Sequence, residues 1–204
     1  MKKIVYLFFY SLIVLFACTS PSTTPPTEPT AYPIFTALTS DGQLLLKDSS
    51  LMPIPHYGDT SYLFIYLIRH CEKESQPDNP PLSTMGQARA ERIGRMLDNA
   101  VIDRLCVTNT KRTIQTAEAI KYWAGDPAIE TFPVEAQSDW LLENLQNRGG
   151  RRLLYVGHVN SIPALLNQLT ESKTYKNIPD PEYNHFYIVA TKGIGQTEVL
   201  ELRY

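Results

Sequence analysis

From residue 62 onwards, short apolar runs alternate with segments that have the periodicity of an amphipathic helix. The run at residues 62–68 is rich in Tyr, Phe, Leu and Ile, a composition typical of a buried strand. Further strands are predicted at residues 105–107, 131–134, 152–156, 183–190 and 197–203. Because strands that alternate with helices form a mostly parallel sheet covered on both faces, the pattern predicts an α/β fold, a three-layer α/β/α sandwich. The glycine-containing link at residues 192–195 predicts that the last two strands form a C-terminal antiparallel hairpin.

Four helices are predicted between these strands. They start near residue 84, span residues 111–124 and 138–147, and start again near residue 161. Thr84 and Gln87 have the spacing of a capping box at the start of the first helix. Gly125 is a natural C-terminal cap for the second helix, and Pro163 is tolerated in the first turn of the fourth.

Residues 34–61 precede this pattern and form an N-terminal extension of the domain at residues 62–204. Asp41 and Gly42 lie between two mildly apolar runs, which favours a hairpin with a type I′ turn. We expect this hairpin to pack on the edge of the sheet. The residues that follow contain Pro53 and Pro55 and are predicted to form a loop.

The first 17 residues have the pattern of a signal peptide. Lys2 and Lys3 precede an apolar stretch at residues 4–16, which is too short to span a membrane comfortably. Residues 15–18 read Leu-Phe-Ala-Cys and resemble a bacterial lipobox, which implies cleavage before Cys18 and attachment of lipid to that residue. The alternative is that the signal peptide is cleaved as in an ordinary secreted protein and that Cys18 carries no lipid.

Residues 18–33 are rich in Pro, Thr and Ser and cannot build a core, so we expect an extended tether. At about 3.1 Å per residue, such a tether holds the domain roughly 40 Å from a bilayer. The sequence therefore predicts a cell-envelope protein with a lipid anchor in a bacterial membrane. Position 19 is Thr rather than the Asp that retains lipoproteins in the inner membrane of enteric bacteria. This favours the outer membrane, or a position facing the periplasm.

Basic and titratable side chains follow three of the predicted strands. Arg69 and His70 follow the run at residues 62–68. Arg112 follows the strand at residues 105–107, and His158 follows the strand at residues 152–156. Ligands of open α/β sheets bind outside the carboxyl ends of the strands. Guanidinium groups there favour a phosphate or a carboxylate, and an imidazole can act as a nucleophile or base near neutral pH.

The motifs around these residues resemble those of the histidine phosphatase superfamily, also called the phosphoglycerate mutase-like fold. Residues 69–73 read Arg-His-Cys-Glu-Lys and residues 157–163 read Gly-His-Val-Asn-Ser-Ile-Pro, which is similar to a branch of small bacterial phosphatases. The resemblance covers about residues 62–204. It implies that His70 is the phospho-acceptor. It also implies that Arg69, Arg112 and His158 surround the phosphoryl group.

The resemblance implies a metal-independent phosphomonoester hydrolase, here outside the cytoplasm, acting on a small phosphorylated substrate. In its reaction, His70 attacks phosphorus to form a phosphohistidine, which water then hydrolyses. The attacking imidazole must be neutral, so we expect its other nitrogen to donate to a fixed backbone carbonyl. In the family a general acid, where present, comes from the segment after the second arginine. The candidates are Glu135, Asp139 and Glu143, although a good leaving group needs no acid.

Two neighbours of His70 have more than one interpretation. Glu72 either binds substrate or forms an exposed ion pair with Lys73 that orients the loop. Cys71 invites comparison with cysteine phosphatases, whose signature places an arginine six residues after the cysteine. Position 77 is Pro, so the arginine of that signature is missing. At position 71 the family usually has a small residue, so we expect Cys71 to narrow the mouth of the pocket.

Composition and spacing exclude several other classes. The net charge of −2 and the lack of a long basic run after residue 3 give nucleic acid binding no electrostatic support. No metal or cofactor is predicted, because the four histidines have no paired helical spacing and no Cys-x-x-Cys occurs. We expect Cys71 and Cys106 to be free, although an envelope location permits a disulfide. A non-catalytic lipoprotein that binds phosphate or sugar phosphate remains the alternative function.

Overall fold

The computed structural model describes residues 32–147 and 151–204, which contain nine strands and four α-helices. The strands are β1 (Phe35–Leu38), β2 (Gln43–Leu46), β3 (Leu51–Pro53), β4 (Leu63–Arg69), β5 (Arg104–Thr108), β6 (Ala128–Phe132), β7 (Arg152–Gly157), β8 (His185–Gly193) and β9 (Gln196–Arg203). The helices are α1 (Thr84–Met96), α2 (Lys111–Trp123), α3 (Gln137–Gln146) and α4 (Ser161–Thr170). The predicted signal peptide, Cys18 and nearly all of the tether lie outside the described residues.

The central sheet has six strands in the order β6-β5-β7-β4-β8-β9. The four strands from β6 to β4 are parallel to one another. β8 pairs antiparallel with both β4 and β9. The predicted mostly parallel sheet with a C-terminal antiparallel hairpin is therefore confirmed.

All seven residues of β4 are buried, because their side chains pack alternately on the two faces of the sheet. Phe64, Tyr66 and Ile68 belong to a core that includes apolar residues of α1 and α2. Leu63, Ile65 and Leu67 belong to a second core with α3 and α4. Two cores on opposite faces confirm the three-layer α/β/α sandwich.

The N-terminal extension forms a sheet of three antiparallel strands, β1-β2-β3, rather than a hairpin of two. Pro53 ends β3, in a segment that the sequence predicted as a loop. In the turn between β1 and β2, Gly42 has a φ of 82° and Asp41 has no positive φ, so the turn is not type I′. Phe35 and Leu44 join the core on the α1 side, and Ile34 bridges to Arg203 beside β9.

Local contacts shift several predicted boundaries by one to three residues. Ser83, rather than Thr84, is the N-cap of α1, and its Oγ accepts a hydrogen bond from the Gly86 N–H at 3.2 Å. β6 ends at Phe132, and Pro133 caps a short 3₁₀ turn at Val134–Ala136 before α3 begins. Among the described residues, no helix combines the length and the apolarity needed to cross a membrane.

Candidate active site

A cleft of about 350 Å³ lies at the carboxyl ends of the parallel strands. It brings together the four residues singled out from the sequence, Arg69, His70, Arg112 and His158. β4, β5 and β7 are adjacent in the sheet, so the segments that follow them meet at one edge. The sequence placed these residues at the ends of three strands, with Arg69 and His70 on the same one, and the sheet order makes the three ends neighbours.

His70 is held in the orientation and protonation state that a nucleophile needs. Its Nδ1 donates to the Cys71 carbonyl at 2.7 Å, and its backbone N–H donates to the Gly157 carbonyl at 2.9 Å. Burial, together with the nearby His158, Arg112 and Arg69, lowers the pKa of His70 to about 3, against the opposing effect of the hydrogen bond to the Cys71 carbonyl. The imidazole is therefore neutral at pH 7 and, with its proton on Nδ1, keeps a free lone pair on Nε2. The predicted backbone acceptor is present.

His158 lies beside His70, with 5.3 Å between the two ring centroids. Arg112 Nη2 donates to its Nδ1 at 3.3 Å, so the ring proton is on Nε2, which lies 2.8 Å from Thr108 Oγ1. Burial, followed by the charges of Arg112 and Arg69, lowers the pKa of His158 to about 4. A phosphoryl dianion in the cleft acts in the opposite direction and raises the pKa of the same ring.

The backbone of His158 is fixed by α4. Its N–H donates to Ser161 Oγ at 2.8 Å, and the same oxygen accepts from the Tyr155 hydroxyl at 3.2 Å. Gln137 joins this group, because its side-chain amide donates to the Ser161 carbonyl at 3.0 Å. The position before His158 must be a glycine, because a Cβ added at Gly157 would lie 2.3 Å from the Tyr155 ring.

Arg112 stands in the first turn of α2, and its motif neighbours hold the structure around it. Thr113 Oγ1 donates to the Thr108 carbonyl at 2.5 Å, which ties the helix to the end of β5. Gln115 and Thr116 accept hydrogen bonds from two backbone N–H groups in the segment after β4, those of Leu82 and Cys71. These residues hold the backbone on both sides of Arg112 in place.

Arg69 is 2% exposed and is bound mainly by the segment at residues 171–182, which we call the rim loop. Its guanidinium donates to carbonyl oxygens of this loop, and Nη2 donates to Asp180 Oδ1 at 2.7 Å. The Tyr183 ring covers the guanidinium, with 3.9 Å from the ring centroid to the guanidinium carbon. Sequence reasoning missed both Asp180 and Tyr183. The only signal was the rim loop itself, with prolines on both sides of Asp180.

The structure corrects the predicted substrate-binding role of Glu72. Its carboxylate accepts two hydrogen bonds from Arg89 Nε, at 2.7 and 2.9 Å, and the side chain does not line the cleft. Burial opposes ionisation, but the hydrogen bonds from Arg89 prevail and lower the pKa of Glu72. The residue does orient the loop through an ion pair, but with Arg89 of α1 rather than with Lys73. Lys73 instead lines the cleft.

None of the three candidate general acids lies in the cleft. Glu135, Asp139 and Glu143 are all exposed on the 3₁₀ turn or on α3, and only Val134 of this segment lines the cleft. The carboxylate that the lining does contain is that of Asp180.

Both described cysteines are free and buried. Burial raises the pKa of each thiol, Cys71 and Cys106, to about 12, so neither is a nucleophile at neutral pH. Cys71 packs in the core on the α1 side, and the expectation that it narrows the mouth of the pocket is wrong. Within residues 32–147 and 151–204, no group of three or more His, Cys, Asp or Glu side chains could hold a metal ion.

Comparison with known proteins agrees with this geometry. Residues 65–133 match the family described as the histidine phosphatase superfamily (branch 1), a stretch that contains His70 and Arg112. No curated protein sequence is a significant match. Several solved structures share the fold.

A mycobacterial glucosyl-3-phosphoglycerate phosphatase is 11% identical, with a TM-score of 0.58, covering 70% of this chain and 99% of its own. The α-ribazole phosphatase of Shigella flexneri is 14% identical, with a TM-score of 0.56 and coverage of 70% and 96%. A protein assigned as the phosphohistidine phosphatase SixA from Agrobacterium tumefaciens is 16% identical, with a TM-score of 0.55 and coverage of 70% and 98%. Part of the domain therefore matches this family, and the solved structures share its fold.

Proposed function

We propose that the protein hydrolyses phosphomonoesters through a phosphohistidine formed on Nε2 of His70. The observation that carries this proposal is the state of His70, a neutral imidazole with its proton fixed on Nδ1 by the Cys71 carbonyl. This nucleophile lies in one cleft with two guanidinium groups and a second imidazole.

The cleft suits a dianion because its lining has more positive than negative side chains. Arg69, Lys73 and Arg112 line it together with one carboxylate, Asp180. Arg112 Nε is buried and has no hydrogen-bond partner among the described residues, so a phosphoryl oxygen can supply its missing acceptor. Fixed donors of this kind stabilise the charge on the equatorial oxygens as phosphorus passes to the nucleophile.

In the first step, the lone pair of His70 Nε2 attacks phosphorus, and the bond from phosphorus to the ester oxygen breaks. The leaving oxygen takes the bonding electrons. Since Glu135, Asp139 and Glu143 lie outside the cleft, substrates whose leaving group departs without protonation are favoured. In the second step, water attacks the phosphohistidine, the P–N bond breaks, and inorganic phosphate and neutral His70 are released.

The test compares the wild-type protein with His70→Ala in hydrolysis of an activated aryl phosphate in the presence of a chelator. His56→Ala is the matched control, because His56 pairs with Glu198 and does not line the cleft. We expect turnover to fall at least about 10³-fold in His70→Ala and to be unchanged in the control. We also expect wild type to form an acid-labile, base-stable phosphoenzyme.

Two outcomes would contradict the proposal. Turnover that survives in His70→Ala would mean that another group is the nucleophile. No turnover, together with phosphate binding that depends on Arg112, would favour the non-catalytic phosphate- or sugar-phosphate-binding lipoprotein.

We also propose that the enzyme works outside the cytoplasm, anchored by lipid on Cys18 and facing envelope or periplasmic substrates. The support is the sequence of residues 1–18, with its basic start, apolar stretch and Leu-Phe-Ala-Cys ending. Multiple acyl chains give stable anchoring. The test is metabolic labelling with a radioactive fatty acid in wild type and Cys18→Ser. Label that persists in the variant, or is missing from wild type, would overturn the proposal that Cys18 carries a lipid anchor.

A further inference from the structure

The two arginines of the cleft differ in how many hydrogen bonds their guanidinium groups make to the protein. Arg112 donates only to His158 Nδ1 among the described residues, at 3.3 Å, so most of its guanidinium N–H groups are available to a ligand. Arg69 donates through Nη1 to the carbonyls of Asp180 and Glu182, at 2.5 and 2.9 Å, and through Nη2 to the Asp180 carboxylate at 2.7 Å. Arg69 is therefore largely occupied by the rim loop.

The contacts of Arg69 are of two kinds. The carbonyl contacts to Nη1 are backbone contacts that hold the rim loop in place, and a third carbonyl, that of Pro179, lies 3.3 Å away. The Nη2 contact is an ion pair with a carboxylate, which is the group on the protein that most resembles a phosphoryl oxygen in charge and geometry. A phosphoryl group can replace the carboxylate while the backbone contacts stay.

The Asp180 carboxylate is able to leave. Its side chain is 91% exposed, and the described residues give its carboxylate no partner other than Arg69. Water can solvate it as soon as it moves, so the cost of releasing it is small. A phosphoryl dianion carries more charge than one carboxylate and gains Arg112 as well, so it can displace Asp180.

We propose that Asp180 competes with phosphoryl oxygens for Nη2 of Arg69 and thereby sets the phosphate affinity of the cleft. This deepens the proposed function, because inorganic phosphate is the product of that reaction. A substrate compensates for the competition through contacts of its organic part, but free phosphate has no such part. Asp180 therefore weakens the binding of free phosphate and promotes release of the product.

The experiment measures the binding of inorganic phosphate by titration calorimetry to the full chain in detergent, at pH 7 and fixed ionic strength. Asp180→Asn removes the competing charge and keeps the shape of the side chain. Asp78→Asn is the matched control, since Asp78 is an exposed carboxylate of the loop after β4 that does not line the cleft. We expect phosphate to bind about five-fold more tightly to Asp180→Asn, and the control to match wild type.

Equal affinity in wild type and Asp180→Asn would overturn the proposal, as would an equal gain in Asp78→Asn, which would reveal only a general effect of net charge. Weaker binding in Asp180→Asn would also overturn it and identify Asp180 as a residue that positions Arg69. These outcomes leave the proposed function intact, because that function depends on turnover by His70. No phosphate binding by any of the proteins would likewise overturn this proposal, whereas the proposed function fails only if wild type lacks turnover or His70→Ala retains it.

Discussion

The two halves of the cleft are held together in different ways. On one side, His158 and Arg112 are fixed by residues close to them in sequence: the His158 N–H by Ser161, three residues later, and the start of α2 by Thr113 and Thr108, five residues apart. On the other side, Arg69 is fixed by the rim loop, and its ion pair with Asp180 spans 111 residues. The backbone of the first half is therefore positioned by local motifs, whereas the Arg69 side chain of the second half is positioned by a loop distant in sequence.

This difference separates the roles of two similar side chains. Arg112 has few contacts with the protein and is available to a ligand, whereas Arg69 is both a ligand donor and the anchor of a loop. Removing Arg112 should therefore reduce activity, whereas removing Arg69 should reduce both activity and stability. Experiments that measure stability and activity together can separate the two halves.

The largest effects are expected when each arginine is replaced by alanine. Arg112→Ala should lower kcat/KM about 10³-fold and change the free energy of unfolding by less than about 1 kcal/mol. Arg69→Ala should lower kcat/KM and also lower the free energy of unfolding by about 2–4 kcal/mol, because several carbonyls of the rim loop lose their donor. Urea unfolding beside steady-state kinetics measures both. Arg95→Ala, on the exposed face of α1, is the control, and equal stability of the two cleft variants would refute the comparison.

The next effect concerns the pH dependence of folding. The folded protein holds the pKa of His70 at about 3 and that of His158 at about 4, against 6.5 for an ordinary histidine. Below pH 6.5 the unfolded chain therefore binds more protons than the folded chain. Stability falls as the pH drops from 7 towards 4, by on the order of a few kcal/mol for the pair.

Urea unfolding at pH 7 and pH 4 checks this expectation. A double variant, His70→Asn with His158→Asn, should lose much of the pH dependence, whereas His56→Asn should keep it. An unchanged slope in the double variant would show that other groups control the acid response.

A smaller effect is expected for Ser161→Ala. The substitution leaves the buried His158 N–H without its acceptor, so kcat/KM should fall about 10-fold and the free energy of unfolding by about 1–2 kcal/mol. Ser138→Ala is the control, because Ser138 is exposed on α3 and makes one long hydrogen bond of 3.4 Å. A variant with wild-type kinetics would mean that α4 alone positions His158.

The smallest effect is expected at Tyr183. Its ring covers the Arg69 guanidinium, so Tyr183→Leu should weaken phosphate binding by about 1 kcal/mol, roughly five-fold. Tyr183→Phe keeps the ring and should bind phosphate as wild type does. Loss of affinity in Tyr183→Phe would assign the role to the hydroxyl instead of the ring.

The sequence was informative wherever a contact is local. The apolar run of β4, the order of the strands and helices, and the position of Arg69, His70, Arg112 and His158 after strands follow from short-range pattern plus the general geometry of α/β sheets. That these four residues surround one site was implied by the resemblance to the histidine phosphatase superfamily. The acceptor for His70 Nδ1 could also be predicted, because a neutral nucleophilic imidazole needs a fixed partner.

The errors arose where a distant residue decides between similar local options. Ser83 and Thr84 both carry a hydroxyl, but Ser83 also donates to the Glu72 carbonyl at 3.3 Å, which fixes it as the cap of α1. Glu72 selects Arg89 rather than Lys73 because α1 packs against the end of β4, where Gly86 lies so close that an added Cβ would be 2.0 Å from the Glu72 carbonyl oxygen. Asp180 was missed for the same reason, because its partner, Arg69, lies 111 residues earlier in the chain.

The position of β4 in the sheet also sets the order in which the chain can fold. β4 carries His70 at its end, and both of its neighbours, β7 and β8, lie in the last third of the chain. During synthesis, residues 63–68 emerge long before either partner exists. A short apolar segment with two open edges is prone to aggregate, so fragments that end before residue 152 should precipitate rather than fold. The strand that carries His70 is thus the first strand of the central sheet to be synthesised, and it gains its hydrogen-bonding partners only when the last third of the chain has been made.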